Sequence, residues 1–129
     1  MPLYLEELGQ ERKAWVALTG PAEGVEVLVK YASPEQRTKF GRRMIARGLM
    51  RHGKEGRIES VPGREKEYAQ EFAKFYIEDW RGAIQPEGVA YDSEKMAAVL
   101  MAISSVGERV LQAIEDETLF FSTNGHHPA

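Results

Sequence analysis

The sequence predicts an α+β domain in which an N-terminal β-hairpin packs on three to four α-helices. Two short apolar segments, 14–18 and 25–31, lie on either side of the turn-forming segment TGPAEG, which is typical of a hairpin. Downstream segments repeat apolar residues at the spacing of a helix. The predicted helices lie at about 34–51, 64–80 and 93–117.

The predicted hairpin covers residues 12–32. Its second strand places Val25, Val27 and Val29 on one face, and glutamate, leucine and lysine alternate with them on the other. An isolated hairpin is marginally stable in water, so we expect this one to rest on a helix or on another chain.

The first helix has a strong start signal. Ser33 can cap it, Pro34 suits the first helical position and Gln36 can complete a capping box. An apolar stripe runs along the helix beside a ridge of cations spaced four residues apart. The stripe consists of Phe40, Met44, Ile45 and Leu49, and the ridge of Lys39, Arg43, Arg47 and Arg51.

Residues 52–63 are rich in glycine and charge, which indicates a linker or mobile loop. The second helix carries an aromatic face that we interpret mainly as core, with part of it available to another subunit. The third helical segment begins after Asp92 or Ser93. Ser105 and Glu108 match a capping box, so this segment is one helix or two helices with a bend. The aromatic face consists of Tyr68, Phe72, Phe75, Tyr76 and Trp80.

Length and composition indicate one domain, at 1–122, followed by a flexible tail at 123–129. The 129 residues are 43% apolar and 29% charged, which is an ordinary globular composition. The chain has no cysteine, which excludes disulfides and thiolate metal sites. No apolar run approaches the roughly 18 residues of a membrane span, and the acidic N-terminus does not resemble a signal peptide. We expect a cytoplasmic protein without membrane contact.

Charge is unevenly distributed along the chain. Residues 34–57 contain eight cations and two acids, whereas residues 58–117 contain thirteen acids and six cations. Such polarity can steer a charged partner, and it can also match one copy of the protein to the next. We therefore expect self-association.

The sequence contains no pattern for catalysis, for a cofactor or for a metal ion. His126 and His127 lie in the predicted tail, and His52 lies in the predicted loop. Glu78 and Asp79 are adjacent, and neighbouring helical residues point about 100° apart, so these two carboxylates do not converge on one atom. We predict a non-enzymatic protein.

The basic ridge has three interpretations: a solvated helix face, a contact with an acidic protein surface, or a nucleic-acid site. The acidic whole-chain charge of −3 and the lack of aromatic side chains between the cations disfavour nucleic acid. The predicted partner-binding residues are Lys39, Arg43, Arg47, Arg51 and Trp80.

Residues 75–110 resemble the tail assembly chaperone-like proteins of long-tailed bacteriophages. Those proteins carry an acidic-Trp-x-Gly pattern at a helix end, a short polar loop, an aromatic residue or proline, and Ser-x-Glu before an apolar helix. The counterparts here are Asp79-Trp80-Arg81-Gly82, Gln85-Pro86-Glu87-Gly88, Tyr91 and Ser93-Glu94-Lys95-Met96. The hairpin followed by Ser-Pro-Glu also resembles the opening of many such proteins.

The resemblance implies a protein that coats the tape measure protein in the host cytoplasm and helps to recruit tail-tube subunits. It supplies no catalytic residues and no defined partner site, and the basic helix with its two glycines does not match the family pattern. Two alternatives stay open. One is a structural virion component such as a tail or connector subunit, and the other is a small nucleic-acid-binding regulator that uses the basic helix at 37–51.

Overall fold

The computed structural model describes residues 11–121 and confirms an α+β fold with an N-terminal β-hairpin. These residues form four helices and two small antiparallel sheets. The predicted tail at 123–129 lies outside the described residues. The strands are β1 (Lys13–Ala17), β2 (Val25–Lys30), β3 (Met50–His52), β4 (Ile58–Ser60) and β5 (Ile77–Gly82), and the helices are α1 (Pro34–Ala46), α2 (Glu65–Tyr76), α3 (Ser93–Ala102) and α4 (Ser104–Glu115).

The larger sheet has the order β1-β2-β5, and both of its pairings are antiparallel. Val16 of β1 lies opposite Val27 of β2, which in turn lies opposite Trp80 of β5. Val16, Val27 and Val29 are buried, as the alternating pattern of β2 predicts. The opposite face of the sheet carries Trp15 and Leu28 together with charged residues such as Glu26 and Lys30.

Helix α1 begins as predicted but ends earlier. The Ser33 side chain accepts from the Gln36 amide at 3.2 Å, and the Gln36 side chain accepts from the Ser33 amide at 2.8 Å, which completes the capping box. The helix stops at Ala46 because Gly48 adopts a φ of 72°, a left-handed conformation that ends helices. The prediction of a helix to residue 51 is therefore wrong at its C-terminal end.

The predicted linker at 52–63 is instead largely a second β-hairpin. β3 pairs with β4, and the Gly53 amide donates to the Arg57 carbonyl at 2.6 Å to close the turn. Every side chain of β4 is exposed, so this hairpin stands out from the rest of the fold. The glycines that suggested a linker serve the turn, since Gly56 has a φ of 74°.

Helix α2 ends at Tyr76, and the chain then continues directly as β5. The prediction of a helix over 64–80 is therefore wrong for its last four residues. Pairing with β2 overrides the local helical spacing here, because the ladder joins Val27 to Trp80 and Val25 to Gly82.

The third helical segment consists of two helices, so the bend expected as one alternative is confirmed. Helices α3 and α4 meet at 109° across Ile103. The break does not use the predicted capping box at Ser105, since Ile103 occupies the N-cap position of α4 without a side-chain cap. Among residues 11–121, no single helix meets the length and hydropathy of a membrane span, whereas the bent α3–α4 pair meets them together.

Aromatic rings join α1 to α2 in the core. The Phe40 ring stacks on Phe75 at a centroid distance of 4.5 Å and meets the edge of Tyr76 at 5.4 Å. Phe72 and Tyr76 are buried, which confirms the predicted core role of this face. Burial raises the pKa of the Tyr76 hydroxyl to about 12, because a phenolate is poorly solvated there.

Candidate protein-interaction site

Two of the four predicted ridge cations lie on the exposed side of α1. Lys39 Nζ lies 3.3 Å from Glu35 Oε1 one turn earlier, and both side chains remain largely exposed. The Arg43 guanidinium lies over the rings of Phe40 and Phe75, 5.5 and 5.8 Å from their centroids. Arg43 therefore covers the edge of the aromatic core while its charge faces solvent.

The other two ridge cations do not lie on the helix, which corrects the prediction of one continuous ridge. Arg47 follows the last turn of α1, and Arg51 lies in β3. Arg47 pairs with Glu71 of α2 at 2.8 Å, and Arg51 pairs with Glu59 of β4 at 2.9 Å. These two cations join neighbouring elements of the same chain.

Trp80 lies within β5 and not at a helix end. Its indole Nε1 donates to the Val89 carbonyl at 3.2 Å, and its ring meets Tyr91 edge-on at 5.2 Å. The Tyr91 hydroxyl donates to the Ile77 carbonyl at 3.3 Å, and burial raises its pKa to about 12. Trp80 thus fastens the loop after β5 to the sheet, and its ring is only partly exposed.

An apolar trough lies between α2, α3 and α4, and sequence reasoning did not find it as a site. Its volume is about 580 Å³. Met101 and Leu111 line it and remain 51% and 38% exposed, although large apolar side chains are normally buried in cores. The residues that line the trough are Ser60, Glu65, Tyr68, Ala69, Phe72, Leu100, Met101, Ser104, Gly107 and Leu111.

The protruding hairpin extends this apolar surface. Ser60 of β4 lines the trough, and Ile58 has the same side-chain direction because it lies two residues away on the strand. Ile58 is 45% exposed. Arg51 and Glu59 form their ion pair on the other face of the hairpin, so charge is kept away from the trough side.

Few polar side chains line the trough: they are Ser60, Glu65, Tyr68 and Ser104. Tyr68 is the one whose ionisation is clearly shifted, because burial raises the pKa of its hydroxyl. Glu65 supplies a carboxylate at the rim. The arrangement can bury an apolar stripe of another molecule and offers a hydroxyl and a carboxylate at its edge.

A second apolar cleft of about 460 Å³ lies between the β1–β2 turn, the loop after β5 and α3. Leu18, Val27 and Trp80 are among the residues that line it. Its lining is mostly apolar, and the ammonium of Lys95, which also lines it, pairs with Asp92 at 3.2 Å.

The adjacent carboxylates expected on a helix surface lie on β5. Glu78 accepts from Lys13 Nζ at 2.7 Å, and Asp79 accepts from the Trp80 amide at 2.8 Å. His52 lies exposed on β3. Within residues 11–121, no group of three or more histidine, aspartate and glutamate side chains is placed to hold a metal ion.

Comparison with known proteins gave no relative. No protein-family model matches the chain, and neither the curated proteins nor the solved structures contain a significant match.

Proposed function

We propose that this chain is a non-enzymatic, phage tail assembly chaperone-like protein of the host cytoplasm. It binds the tape measure protein through the apolar trough and helps to recruit tail-tube subunits. The observation that carries the proposal is the exposure of Met101 and Leu111 in a trough formed by three helices. The chaperone identity comes from the sequence resemblance around Trp80 and Ser93.

The shape of the trough supports a helical partner. An amphipathic helix places apolar residues at positions i, i+3, i+4 and i+7, and this stripe fits a groove between helices. The groove wall contributed by α3 and α4 contains small residues such as Gly107 as well as Leu100 and Leu111, which leaves room for an incoming side chain. A long helical protein repeats such stripes along its length.

The chemistry of the trough supports a binder of many similar sequences. Methionine is unbranched and polarizable, so Met101 can pack against side chains of different shape. Few polar groups surround it, so contacts depend on apolar area and not on a fixed set of hydrogen bonds. Such a surface binds related helices with moderate affinity, as a chaperone requires.

The contacts of the basic residues support protein binding over nucleic-acid binding. Arg47 and Arg51 are each paired with a glutamate of the same chain, and Arg43 lies on aromatic rings. A phosphate backbone would have to compete with these partners. The exposed cations that remain suit contact with an acidic protein surface.

The test measures binding of a fluorescein-labelled synthetic helix with leucine at positions i, i+3, i+4 and i+7. A peptide of the same composition in scrambled order is the control ligand. We expect Met101→Glu to weaken binding of the ordered peptide at least about tenfold, because the complex would bury a carboxylate without a partner. Binding that is equal for both peptides contradicts the proposal.

Leu119→Glu is the matched protein control. Leu119, like Met101, is a large apolar residue that is exposed, at 43%, but it does not line the trough. We expect this variant to bind like the wild type. If both variants lose binding equally, total surface charge and not the trough determines affinity.

Co-expression with the tape measure protein then tests the biological partner, and Met101→Glu should fail to keep it soluble. The fate of the chain separates a chaperone from a structural component. A chaperone is absent from purified particles, whereas a tail or connector subunit persists in them.

A further inference from the structure

We propose that strand β1 pairs with β1 of a second copy of this chain, in antiparallel orientation about Trp15, to form a continuous six-stranded sheet. The inference does not depend on the trough, because no residue of β1 lines the trough. It rests on three features of the described residues: an open sheet edge, a half-buried tryptophan beside it, and a self-complementary order of side chains.

The hydrogen-bond pattern shows which backbone groups of β1 are not bonded to β2. The Tyr31 amide donates to the Arg12 carbonyl and the Leu18 amide donates to the Val25 carbonyl, so these pairs are bonded to β2. Bonded and non-bonded pairs alternate along an antiparallel ladder. The N–H and C=O groups of Lys13, Trp15 and Ala17 therefore point away from β2.

Within residues 11–121, no strand lies on that side of β1, since the sheet order is β1-β2-β5. At the opposite edge, the loop after β5 folds back, and Tyr91 already binds the Ile77 carbonyl. Open edges with unpaired backbone groups are templates for pairing with another chain. Of the two edges of the β1-β2-β5 sheet, the β1 edge is thus the one at which a new strand can add.

The order of side chains along β1 fits a second copy. A two-fold axis at Trp15 places the two Trp15 residues opposite each other and Lys13 opposite Ala17 of the partner. A long side chain thus meets a small one, and two aromatic rings form a cross-strand pair, which is a favourable combination. On the core face, Ala14 lies opposite Val16, so two apolar residues meet.

Charge on the outer face does not oppose this pairing. Lys13 is paired with Glu78 of β5 at 2.7 Å, so its charge is already compensated. The Arg81 guanidinium lies 4.0 Å from the centre of the Trp15 ring and also binds Glu26 at 2.8 Å. Arg81 thus contacts the indole from the β5 side of the sheet, which is the side away from the β1 edge.

Sedimentation velocity of the full chain, over a range of protein concentrations and at low and high salt, tests the proposal. We expect a species of twice the monomer mass that persists at high salt, because backbone hydrogen bonds and an indole pair hold it. A wild-type chain that stays monomeric overturns the proposal. This holds even if an added extended peptide binds at the β1 edge.

Ala17→Pro removes one outward N–H and leaves the β1–β2 ladder intact, since proline is tolerated at an edge whose N–H faces solvent. At high salt, we expect it to return the chain to monomer, while Ala17→Thr, which keeps the N–H, remains dimeric. A folded proline variant that still dimerises at high salt overturns the proposal.

Hydrogen exchange of the wild type keeps the test valid if the proline variant fails to fold. The amides of Lys13, Trp15 and Ala17 should become protected as protein concentration rises. Amides at these positions that exchange equally fast at all concentrations overturn the proposal.

Discussion

Side-chain caps fix the starts of α1 and α3. Ser33 forms a reciprocal capping box with Gln36, and the Asp92 carboxylate accepts from the Lys95 amide at 2.7 Å. Ser93, which the sequence offered as an alternative cap, lies inside the first turn of α3. A shift of one residue in the start of the helix thus changes which side chain accepts hydrogen bonds from the free amides at its N-terminal end.

Ser33→Ala should lower the free energy of unfolding by about 1 kcal/mol, because the Gln36 amide loses its acceptor. Urea unfolding followed by circular dichroism measures the change. Ser93→Ala is the matched control and should change stability little, since Ser93 caps no helix. Equal losses in the two variants would contradict this assignment of the caps.

Asp92 should make the protein more stable above its titration range than below it. Hydrogen bonds from the Lys95 backbone and side chain lower the pKa of Asp92 from its ordinary value of 3.8. Because the folded-state pKa is the lower one, the stabilisation is present above the unfolded-state pKa and is lost as pH falls through the folded-state pKa.

Asp92→Asn tests this at the same position. Asparagine can still cap the helix but does not titrate. Plots of unfolding free energy against pH from 6 to 2 should be less steep for the variant in the acidic limb. Parallel curves for the two proteins would show that Asp92 does not contribute to the acid response.

At the scale of elements, local signals determine where helices begin better than where they end. The Ser33-Pro34 start is visible in sequence because all of its partners lie within one turn. The end of α1 depends on Gly48, and its φ of 72° can be identified only once the following strand is placed. Similarly, Trp80 keeps the aromatic spacing of α2, and only the pairing with β2 shows that it belongs to a strand.

The two glycines near α1 should respond oppositely to alanine. Gly41 lies inside the helix with open space at the position of a Cβ atom, so Gly41→Ala should stabilise the protein by about 0.5–1 kcal/mol. Gly48→Ala should destabilise it by about 1 kcal/mol, because its positive φ strains an alanine. Thermal and urea unfolding measure both changes, and a stabilised Gly48→Ala variant would contradict the proposed helix end.

At the scale of the whole molecule, the sequence predicts the fold class and most of the core but not the trough. Tyr68, Phe72, Leu100 and Leu111 each belong to an apolar stripe in sequence. That Met101 and Leu111 stay exposed follows from the 109° bend between α3 and α4, which opens a space between these helices and α2. No local sequence pattern specifies this angle between the two helices.

At this scale, the uneven charge distribution can be assigned to two surfaces of the molecule. Lys39, Arg42 and Arg43 lie on the exposed side of α1, whereas Glu108 and Glu115 lie exposed on α4. Glu115 and Asp116 lie at the C-terminal end of α4, where the helix dipole disfavours negative charge. Cations of another copy would compensate it, so we predict head-to-tail association in which the α1 face of one copy meets the α4 face of the next.

Exchange of charges tests this contact. We expect Lys39→Glu with Arg42→Glu in one variant, or Glu108→Lys with Glu115→Lys in another, to abolish salt-sensitive association measured by light scattering. Combining all four changes in one chain should restore it, because both faces are then reversed and again match. Salt-sensitive association that survives in either variant alone would contradict the contact, since like charges would then face each other without effect.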